Sequence, residues 1–347
     1  MNYINEKYDT SDLFYFIGRK YVRLEEPTVE RITNAIVFPY EDGVSQIEKK
    51  TPINQSVKVL DKTVIYLGRM STAHYGNILF DFISRLWWQA ENKQNFDWIY
   101  TAPNRVHTPA LLHQLAELFL GKDVNLVRVT NPTQYKEIIV PQQTFIHDKY
   151  IMPQYASIYS KIYLALQPKN TIAYDKIYLT RTHLNRHKEI GEKRFERFFE
   201  ANGYHVIAPE ELAIADQAYL INHCIEMASI EGSHAHGVVW ANPRGGGRQI
   251  ILRKQSEVIP RQIMLNQLWE KELVLIDVFD EPFSDFPISH DRGPFLLRWT
   301  PQIEQFAKDN NMMVPSECRR GYWTDLIEYT FKCIIYKIWH ILKHTFR

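Results

Sequence analysis

The sequence predicts an α/β protein of two domains, and three observations support this prediction. The chain has 347 residues, more than one hydrophobic core ordinarily organises. Short apolar runs typical of buried strands alternate with helical patterns of about three turns, which indicates βαβ units and parallel sheets. Two such series stand in tandem, and the segment 168–171, rich in turn-forming residues, is the natural boundary between them.

In the first series, residues 1–50 give no clear assignment, and the pattern becomes regular from Thr63. Apolar runs predict strands, and helical spacing predicts two helices, the second opened by proline. The predicted strands are 64–67, 98–100 and 125–129, and the predicted helices are 73–90 and 109–120.

The second series has a clearer pattern. Its predicted strands are 176–180, 205–207, 228–230, 249–252 and 273–276, and its predicted helices are 192–202 and 216–227. Asp216 fits the N-cap of the second helix, and a further helix is expected to start near Gly237. Ligands of open α/β sheets bind at the carboxyl ends of the strands. The loops of interest therefore follow Leu67, Thr180, Ile207 and Ile230.

Composition excludes several classes of protein. The chain is 45% apolar and 23% charged with a net charge of +1, so neither disorder nor a general nucleic-acid surface is expected. Its 3 cysteines are widely spaced, which argues against a disulfide framework and favours a reducing compartment. The sequence shows no signal-peptide pattern and no run of about 18 apolar residues, so a cytoplasmic protein is expected.

The loop after Ile230 contains glycine, serine and histidine within a few residues. Gly232, Ser233 and Gly237 permit a ligand to approach the backbone, and the helix that follows offers free N–H groups to a phosphate. His234 and His236 can donate hydrogen bonds to phosphate oxygens. An ordinary βα turn explains the same residues equally well. A metal site is disfavoured, because no third ligand stands at a recognisable spacing.

Charged side chains follow the neighbouring strand ends. The strand 176–180 leads directly to Arg181, and Arg186 lies in the same loop. Guanidinium groups suit bidentate phosphate binding. Glu210 follows the next strand, where it could accept ribose hydroxyls or orient Arg181. A solvated loop and a dipole-favoured acid at a helix start are the alternatives.

The segment 72–88 of the first series contains further candidates. His74 is expected at a helix entry just past a strand end, and Asp81 lies two turns into the predicted helix with Arg85 four residues later. A capping histidine and an i, i+4 ion pair explain the same residues.

Several motifs are missing from the sequence. It has no DxD triplet to hold a metal ion on a diphosphate, which favours neutralisation by protein groups. It also has no Walker A motif, no GxGxxG after a strand and no GxSxG, so NTPase, simple dehydrogenase and α/β-hydrolase functions lose support.

Three ordered segments resemble a known family across roughly residues 63–255. They are His74–Trp87, Ile177–Arg181 with Arg186 and Pro209–Gln217, and Ile230–Gly237 with Asn242-Pro243. Together they resemble the bacterial capsular-polysaccharide branch of glycosyltransferase family 61, also called the DUF563 family. Family members usually have histidine at the position of Asn77 and glutamate where one strand here ends in Leu252-Arg253; His236 also precedes the last glycine of the loop.

The resemblance implies a GT-B-like fold, with two Rossmann-like domains facing across a cleft, and an inverting hexosyl- or pentosyltransferase (EC 2.4). The donor would be a nucleotide-sugar, a UDP-sugar in the first instance, bound without a metal or other cofactor. The acceptor would be a growing capsular or lipopolysaccharide-type glycan. The resemblance carries Arg181, Glu210 and the loop Gly232–Gly237 over as donor-site positions. The expected domains are 1–168 on the acceptor side, 169–290 for the donor, a return segment 291–321, and the helix 322–347.

Inverting transfer needs a base for the acceptor hydroxyl and positive groups for the leaving diphosphate. Asp81 or His74 is the expected base, and Arg181, Arg186, His234 and His236 are expected to stabilise the leaving group. Two alternatives remain. One is a pyruvyl- or phosphosugar-transferase on a similar scaffold. The other is a non-catalytic, membrane-associated assembly protein.

Residues 322–347 form the sharpest helical pattern. Seven apolar residues share one face: Ile327, Phe331, Ile334, Ile335, Ile338, Ile341 and Leu342. The other face is polar and largely basic: Asp325, Glu328, Lys332, Lys337, His340, Lys343, His344 and Arg347. Trp323 and Trp339 suit a headgroup boundary. This pattern predicts a peripheral anchor on an anionic membrane at its cytoplasmic face, and the alternative is a helix docked on the N-terminal domain.

Overall fold

The computed structural model describes residues 16–41, 47–48, 56–70, 75–91, 96–104, 110–121, 124–184, 188–243, 245–256, 258, 260–279 and 293–345. The chain divides into two compact units. The first unit comprises residues 21–166, and the second comprises residues 1–20 and 167–347. Both contain strands and helices, so the predicted α/β class is confirmed.

The first unit is built around a six-stranded sheet. Its strands are β1 (Val29–Val37), β2 (Ile47–Glu48), β3 (Lys58–Arg69), β4 (Asp97–Thr101), β5 (Leu126–Arg128) and β6 (Thr133–Pro141), and a separate ribbon holds β7 (Phe145–Ile146) and β8 (Tyr150–Ile151). Its regular α-helices are α1 (Trp87–Glu91), α2 (Ala110–Leu120) and α3 (Pro153–Ala165). The sheet order is β2-β1-β6-β3-β4-β5.

This sheet is mixed, which corrects the prediction of a parallel sheet in the first half. β3 pairs parallel with β4 and β6, but β1 runs antiparallel to both β6 and β2. β1 lies in the segment 1–50 that the sequence left unassigned, and β6 was not predicted. The residue pattern of a strand reports which of its faces are buried and does not reveal the direction of its neighbour.

The helix predicted at 73–90 is irregular. Residues 71–74 lie outside the described part, and an α-helical turn at Tyr75–Asn77 is followed by a π-helical stretch, Ile78–Phe82, and a 3-10 turn, Ile83–Arg85. The carbonyl of Leu79 accepts hydrogen bonds of 2.8 Å from the buried hydroxyls of both Tyr155 and Tyr159 on α3. Two outside donors at one carbonyl fit an interrupted helical ladder, and π-helical stretches occur frequently at functional sites.

The second unit contains a five-stranded parallel sheet, as the sequence predicts. Its strands are β9 (Lys176–Leu179), β10 (Glu189–Ile190), β11 (His205–Ile207), β12 (Glu226–Ile230), β13 (Arg248–Arg253), β14 (Glu272–Asp277) and β15 (Phe295–Leu296). The sheet order is β11-β9-β12-β13-β14, with every pair parallel, and β10 pairs in parallel with β15 apart from it. Its helices are α4 (Lys193–Glu200), α5 (Ile214–His223), α6 (Pro260–Leu268), α7 (Pro301–Asp309) and α8 (Tyr322–Thr345), with 3-10 helices at Pro209–Glu211, Ser233–Trp240 and Ser316–Arg319.

Both faces of this sheet are covered by other elements of the unit. Alternate residues of each strand point to opposite sides and pack there. On one side, strand residues such as Tyr178, Ile250 and Val274 pack with aromatic side chains of α4 and α7. On the other side, Ile251 and Leu275 pack with Ala235 of the 3-10 helix. Two-sided burial explains why these strands read as continuous apolar runs.

Two predicted helix boundaries in this unit are wrong. The helix predicted at 216–227 is α5 (Ile214–His223), with Ala213 at its N-cap. Asp216 instead accepts the N–H groups of Lys169 at 2.7 Å and Asn170 at 3.0 Å. Met227, predicted as the last residue of this helix, belongs instead to β12, where it pairs with Ile177 of β9. The helix expected near Gly237 is a 3-10 helix that already begins at Ser233.

The long helix α8 packs against the second unit through one face. Four of its residues contact Ile190 of β10 and Leu296 of β15, namely Tyr322, Leu326, Tyr329 and Cys333. Asp325 forms an ion pair with Arg194 of α4. Burial lowers the pKa of Arg194, which still donates to the carbonyl of Arg320 at 3.2 Å. The first turns of α8 are therefore part of the unit.

Replacing Asp325 by Asn should destabilise the second unit by about 1–3 kcal/mol, because the Arg194 side chain is only 7% exposed and its guanidinium loses its charged partner. Chemical unfolding followed by circular dichroism measures this loss. Glu328→Gln is the matched control, since it breaks the partly exposed 2.7 Å pair with Lys332 on the same helix. That change should cost less than about 0.5 kcal/mol. Equal losses in the two variants would contradict a structural role for the Asp325–Arg194 pair.

Candidate functional site

The order of the parallel sheet indicates one edge at which a ligand is expected to bind. The chain passes from β9 to β11 on one side, and β12 lies on the other side of β9. In sheets of this order, ligands bind outside the carboxyl ends of the strands where the direction of winding changes. Arg181 follows β9 there, and Gly232 follows β12. The topology therefore brings two sequence-predicted loops to the place where a ligand is expected.

One buried carboxylate lies between two cations at this edge. Oε1 of Glu189 is 3.0 Å from Nε of Arg181 and 2.8 Å from Nζ of Lys254, and the Glu189 side chain is only 1% exposed. Nε of Arg181 has no aligned hydrogen-bond acceptor among the described residues, so its contact with Glu189 is a charge contact. The ammonium of Lys254 also lies 4.1 Å from the ring centroid of Phe295. The buried carboxylate of Glu189 thus holds the mostly covered Arg181 side chain at the strand end.

Gly232 lies directly under the guanidinium of Arg181. Its φ is +150°, a conformation that residues with a Cβ rarely adopt. A Cβ built there would lie 2.9 Å from Nη1 and 3.4 Å from Cζ of Arg181. The backbone conformation therefore requires glycine, and a Cβ there would displace the end of the Arg181 side chain.

Acidic side chains of the adjoining segment hold the loop after β9 in place. Glu192 accepts the backbone N–H of Arg181 at 3.0 Å and the buried hydroxyl of Tyr178 at 3.2 Å. Glu196 accepts the hydroxyls of Thr180 and Thr182, the latter at 2.6 Å. These carboxylates are thus engaged by donors within the loop and its strand, and the position of Arg181 is set by main-chain as well as side-chain contacts.

Glu210 and His234 also meet at this edge. Oε2 of Glu210 lies 3.7 Å from Nε2 of His234, whose side chain is 13% exposed. Burial lowers the pKa of His234 to about 4, and the positive charges of Arg181 and Lys254 act in the same direction. His234 is therefore neutral at neutral pH and can offer one N–H group to a ligand without adding positive charge.

The remaining residues of the glycine-containing loop have other surroundings. Ser233 is partly exposed and opens the 3-10 helix. His236 is buried, and its Nδ1 lies 2.9 Å from Oε1 of Gln262 on α6, an acceptor that requires the proton on Nδ1. Gly237 is buried, and a Cβ there would lie 2.9 Å from Cδ1 of Ile221 on α5. His236 and Gly237 thus pack the loop onto neighbouring helices.

Three predicted site residues cannot be placed. His74 and Arg186 lie outside the described residues. The backbone of Asp81 falls in the π-helical stretch of the first unit, but its side chain is not described. Over the described segments, no group of three or more His, Cys, Asp or Glu side chains is arranged to hold a metal ion. Metal-independent binding remains a prediction.

Sequence reasoning missed Glu189 and Lys254. Lys254 follows β13, so the rule that selected the other loops would have found it had it been applied to that strand end. Glu189 had no such signal, because it reaches the edge through the pairing of two-residue strands that are far apart in the chain. The neighbouring Arg253 is held by Asp277 at 2.8 Å and donates to the carbonyl of Ser256 at 2.7 Å. Arg253 thus ties two strand ends together.

One family model matches the part of the chain that contains this edge of the sheet. The family model described as Glycosyltransferase 61 matches residues 75–247. The matched segment contains β9 to β12, Arg181, Glu189 and the loop around Gly232. The match supports the glycosyltransferase 61 family and, in general terms, glycosyltransferase activity. Among curated proteins, none matches the chain significantly.

The depressed pKa of His234 predicts a specific dependence of stability on pH. The unfolded chain binds this proton near the ordinary value of 6.5 and the folded chain only near 4, so the contribution of His234 to stability falls as the pH drops from 6.5 to 4. Relative to wild type, His234→Gln should therefore gain about 2 kcal/mol between pH 7 and pH 4.5. Melting temperatures measured across this range test the prediction.

His183→Gln is the matched control. Hydrogen bonding to Glu211 raises the pKa of His183, so the sign is opposite and this variant should show no such gain at low pH. The same pH trend in both variants would show that the environment assigned to His234 is wrong.

Proposed function

We propose that this chain is an inverting, metal-independent glycosyltransferase of family 61. It moves a sugar from a nucleotide-sugar donor, a UDP-sugar in the first instance, to a growing bacterial cell-surface glycan of the capsular or lipopolysaccharide type. One observation carries the proposal: Arg181 lies over Gly232 where the winding of the parallel sheet changes direction, inside the segment that the family model matches.

The donor diphosphate is proposed to lie against Arg181 and the start of the 3-10 helix at Ser233. A guanidinium offers paired donors to phosphate oxygens, and first-turn N–H groups offer further ones. Lys254, which shares a carboxylate with Arg181, adds positive charge at this edge. His234 donates as a neutral ring, and Glu210 accepts ribose hydroxyls. Arg186, which lies outside the described residues, is proposed to add positive charge. His236 and Gly237 hold the loop against α6 and α5.

Transfer is proposed to proceed by a single displacement. The acceptor hydroxyl oxygen attacks the anomeric carbon, and the bond from that carbon to the diphosphate oxygen breaks with its electron pair passing to the diphosphate. The acceptor proton goes to a base in the first unit, either Asp81 or His74. The groups around Arg181 stabilise the charge that develops on the leaving diphosphate. Attack from the opposite side inverts the anomeric configuration.

The two compact units are proposed to be the two Rossmann-like domains of a GT-B-like enzyme. The second unit supplies the donor site, since it contains the complete parallel sheet and the Arg181 edge. The first unit is proposed to bind the acceptor, since it contains the π-helical stretch with Asp81.

A thermal-shift screen against UDP, CMP, GDP and their sugar conjugates, with and without EDTA, tests the donor site. A ligand that binds only the folded chain raises its melting temperature, by an amount equivalent to about 2.7 kcal/mol at a concentration one hundred times Kd. We expect stabilisation by one nucleotide class, unchanged by EDTA. Arg181→Ala should abolish both this stabilisation and sugar transfer.

Arg319→Ala is the matched control, because Arg319 is also paired with a glutamate, Glu304 at 2.6 Å, but on an exposed surface of the same unit. It should retain nucleotide binding. Near-normal turnover in Arg181→Ala would show that the donor-site assignment is wrong. If no nucleotide stabilises the wild-type chain, a donor of another chemistry or a non-catalytic assembly role takes precedence.

The base is tested by Asp81→Asn and His74→Asn. In one of these variants the transfer rate should fall by about 10²–10⁴-fold, which is a typical contribution of a general base, and the nucleotide-induced thermal shift should be kept. Single-turnover assays with radiolabelled donor measure the rate. Asp61→Asn, which changes an aspartate that is 85% exposed in the same unit, serves as the control. If the wild-type chain transfers no sugar, a non-catalytic scaffold is indicated. If neither substitution lowers the transfer rate, the enzyme uses another base.

A further inference from the structure

The last helix of the structure leaves a long apolar surface uncovered. Eight large apolar side chains of α8 are between 49% and 74% exposed: Trp323, Ile327, Phe331, Ile334, Ile335, Ile338, Ile341 and Leu342. We call this set the apolar stripe. Scattered apolar residues are ordinary at protein surfaces, but a contiguous stripe along one helix marks an interaction surface.

The apolar stripe is not the face by which α8 joins its own unit. The docked side chains Tyr322, Leu326, Tyr329 and Cys333 recur every three or four residues and so define one side of the helix. On a helix of 3.6 residues per turn, most of the stripe falls on the opposite side. None of the described side chains after Cys333 is buried. The helix therefore docks on the second unit through this other side, whereas the alternative considered from the sequence was docking on the N-terminal domain.

The charges of α8 indicate what kind of partner would cover the apolar stripe. Both acidic residues of α8 lie in its first turns and are paired, Asp325 with Arg194 and Glu328 with Lys332. Residues 329–347 contain four lysines and arginines and no acid: Lys332, Lys337, Lys343 and Arg347. An apolar stripe beside a purely basic segment complements a layer of anionic lipid headgroups over acyl chains.

The dimensions fit a helix lying in the plane of that layer. With 24 residues, α8 is about 36 Å long. Among the described residues no helix is long and apolar enough to cross a bilayer. A second copy of the chain fits less well, because symmetric contact through the stripe would bring two basic segments together without added acids.

We propose that α8 binds an anionic membrane surface through the apolar stripe, while its opposite face holds it to the second unit. The parallel sheet and its Arg181 edge are thereby brought to a lipid surface. This binding goes beyond the proposed transfer reaction and does not depend on it.

Co-sedimentation of the full chain with vesicles of phosphatidylcholine, with and without phosphatidylglycerol, tests the proposal. The wild-type chain should bind the anionic vesicles more tightly, and added salt should weaken the binding. Ile338→Asp should lower the partition coefficient roughly tenfold or more. Ile172→Asp is the matched control, because Ile172 is 54% exposed and Ile338 is 52% exposed, and it should leave binding unchanged. Lys337→Glu combined with Lys343→Glu should remove the preference for phosphatidylglycerol.

Circular dichroism and the nucleotide-induced thermal shift accompany each variant. Both should match wild type in Ile338→Asp, so loss of nucleotide binding reports on the transfer proposal and loss of vesicle binding on this one. Failure of the wild-type chain to bind anionic vesicles would overturn the proposal, as would an equal loss in Ile172→Asp. If light scattering shows a wild-type dimer that Ile338→Asp converts to a monomer, with no vesicle binding, a second copy covers the stripe instead.

Discussion

Glu189 is a carboxylate that the folded chain can bury only because two cations reach it. An ionised carboxylate with 1% exposure is strongly unfavourable unless it is paired. Arg181 after β9 and Lys254 after β13 supply the charges, so this one group joins two strand ends that are separated in the sheet by β12. The close approach of Arg181 to Gly232 follows from that constraint. Without the carboxylate, a flexible arginine would have no fixed position over the loop.

The short strand β10 links this site to the long helix. Its two residues point in opposite directions, as successive residues of a strand do. Glu189 contacts Arg181 and Lys254, whereas the next residue, Ile190, packs with Tyr329 and Cys333 of α8. The partner strand β15 contacts the same two regions. Its Phe295 ring lies beneath Lys254, and its Leu296 packs in the cluster with α8. The candidate site and the helix with the apolar stripe therefore share one small structural support.

The segment matched by the family model does not contain all of the residues around Arg181. The match ends at residue 247, before Lys254, β14 and α8. Yet Lys254 shares its carboxylate with Arg181, which lies within the matched segment. The chemistry proposed for the matched segment thus depends on charges supplied from beyond it, and the apolar stripe of α8 lies wholly outside it. The proposed donor site therefore lies mostly inside the matched segment, whereas the apolar stripe is inferred from this chain alone.

The sequence by itself determined the five strands of the parallel sheet and the loops that follow them. The strand at 205–207 agrees with β11, the parallel sheet of the second unit formed as predicted, and the rule of carboxyl ends led to Arg181 and Gly232. Only the tertiary structure decided the mixed sheet of the first unit, the contacts of Asp216, the start of the 3-10 helix at Ser233, the role of Glu189 and the docked face of α8. Residue patterns report local burial and the period of a helix or strand. Strand direction, ion pairing and the choice between two apolar helix faces depend on partners distant in the chain, which no local pattern encodes.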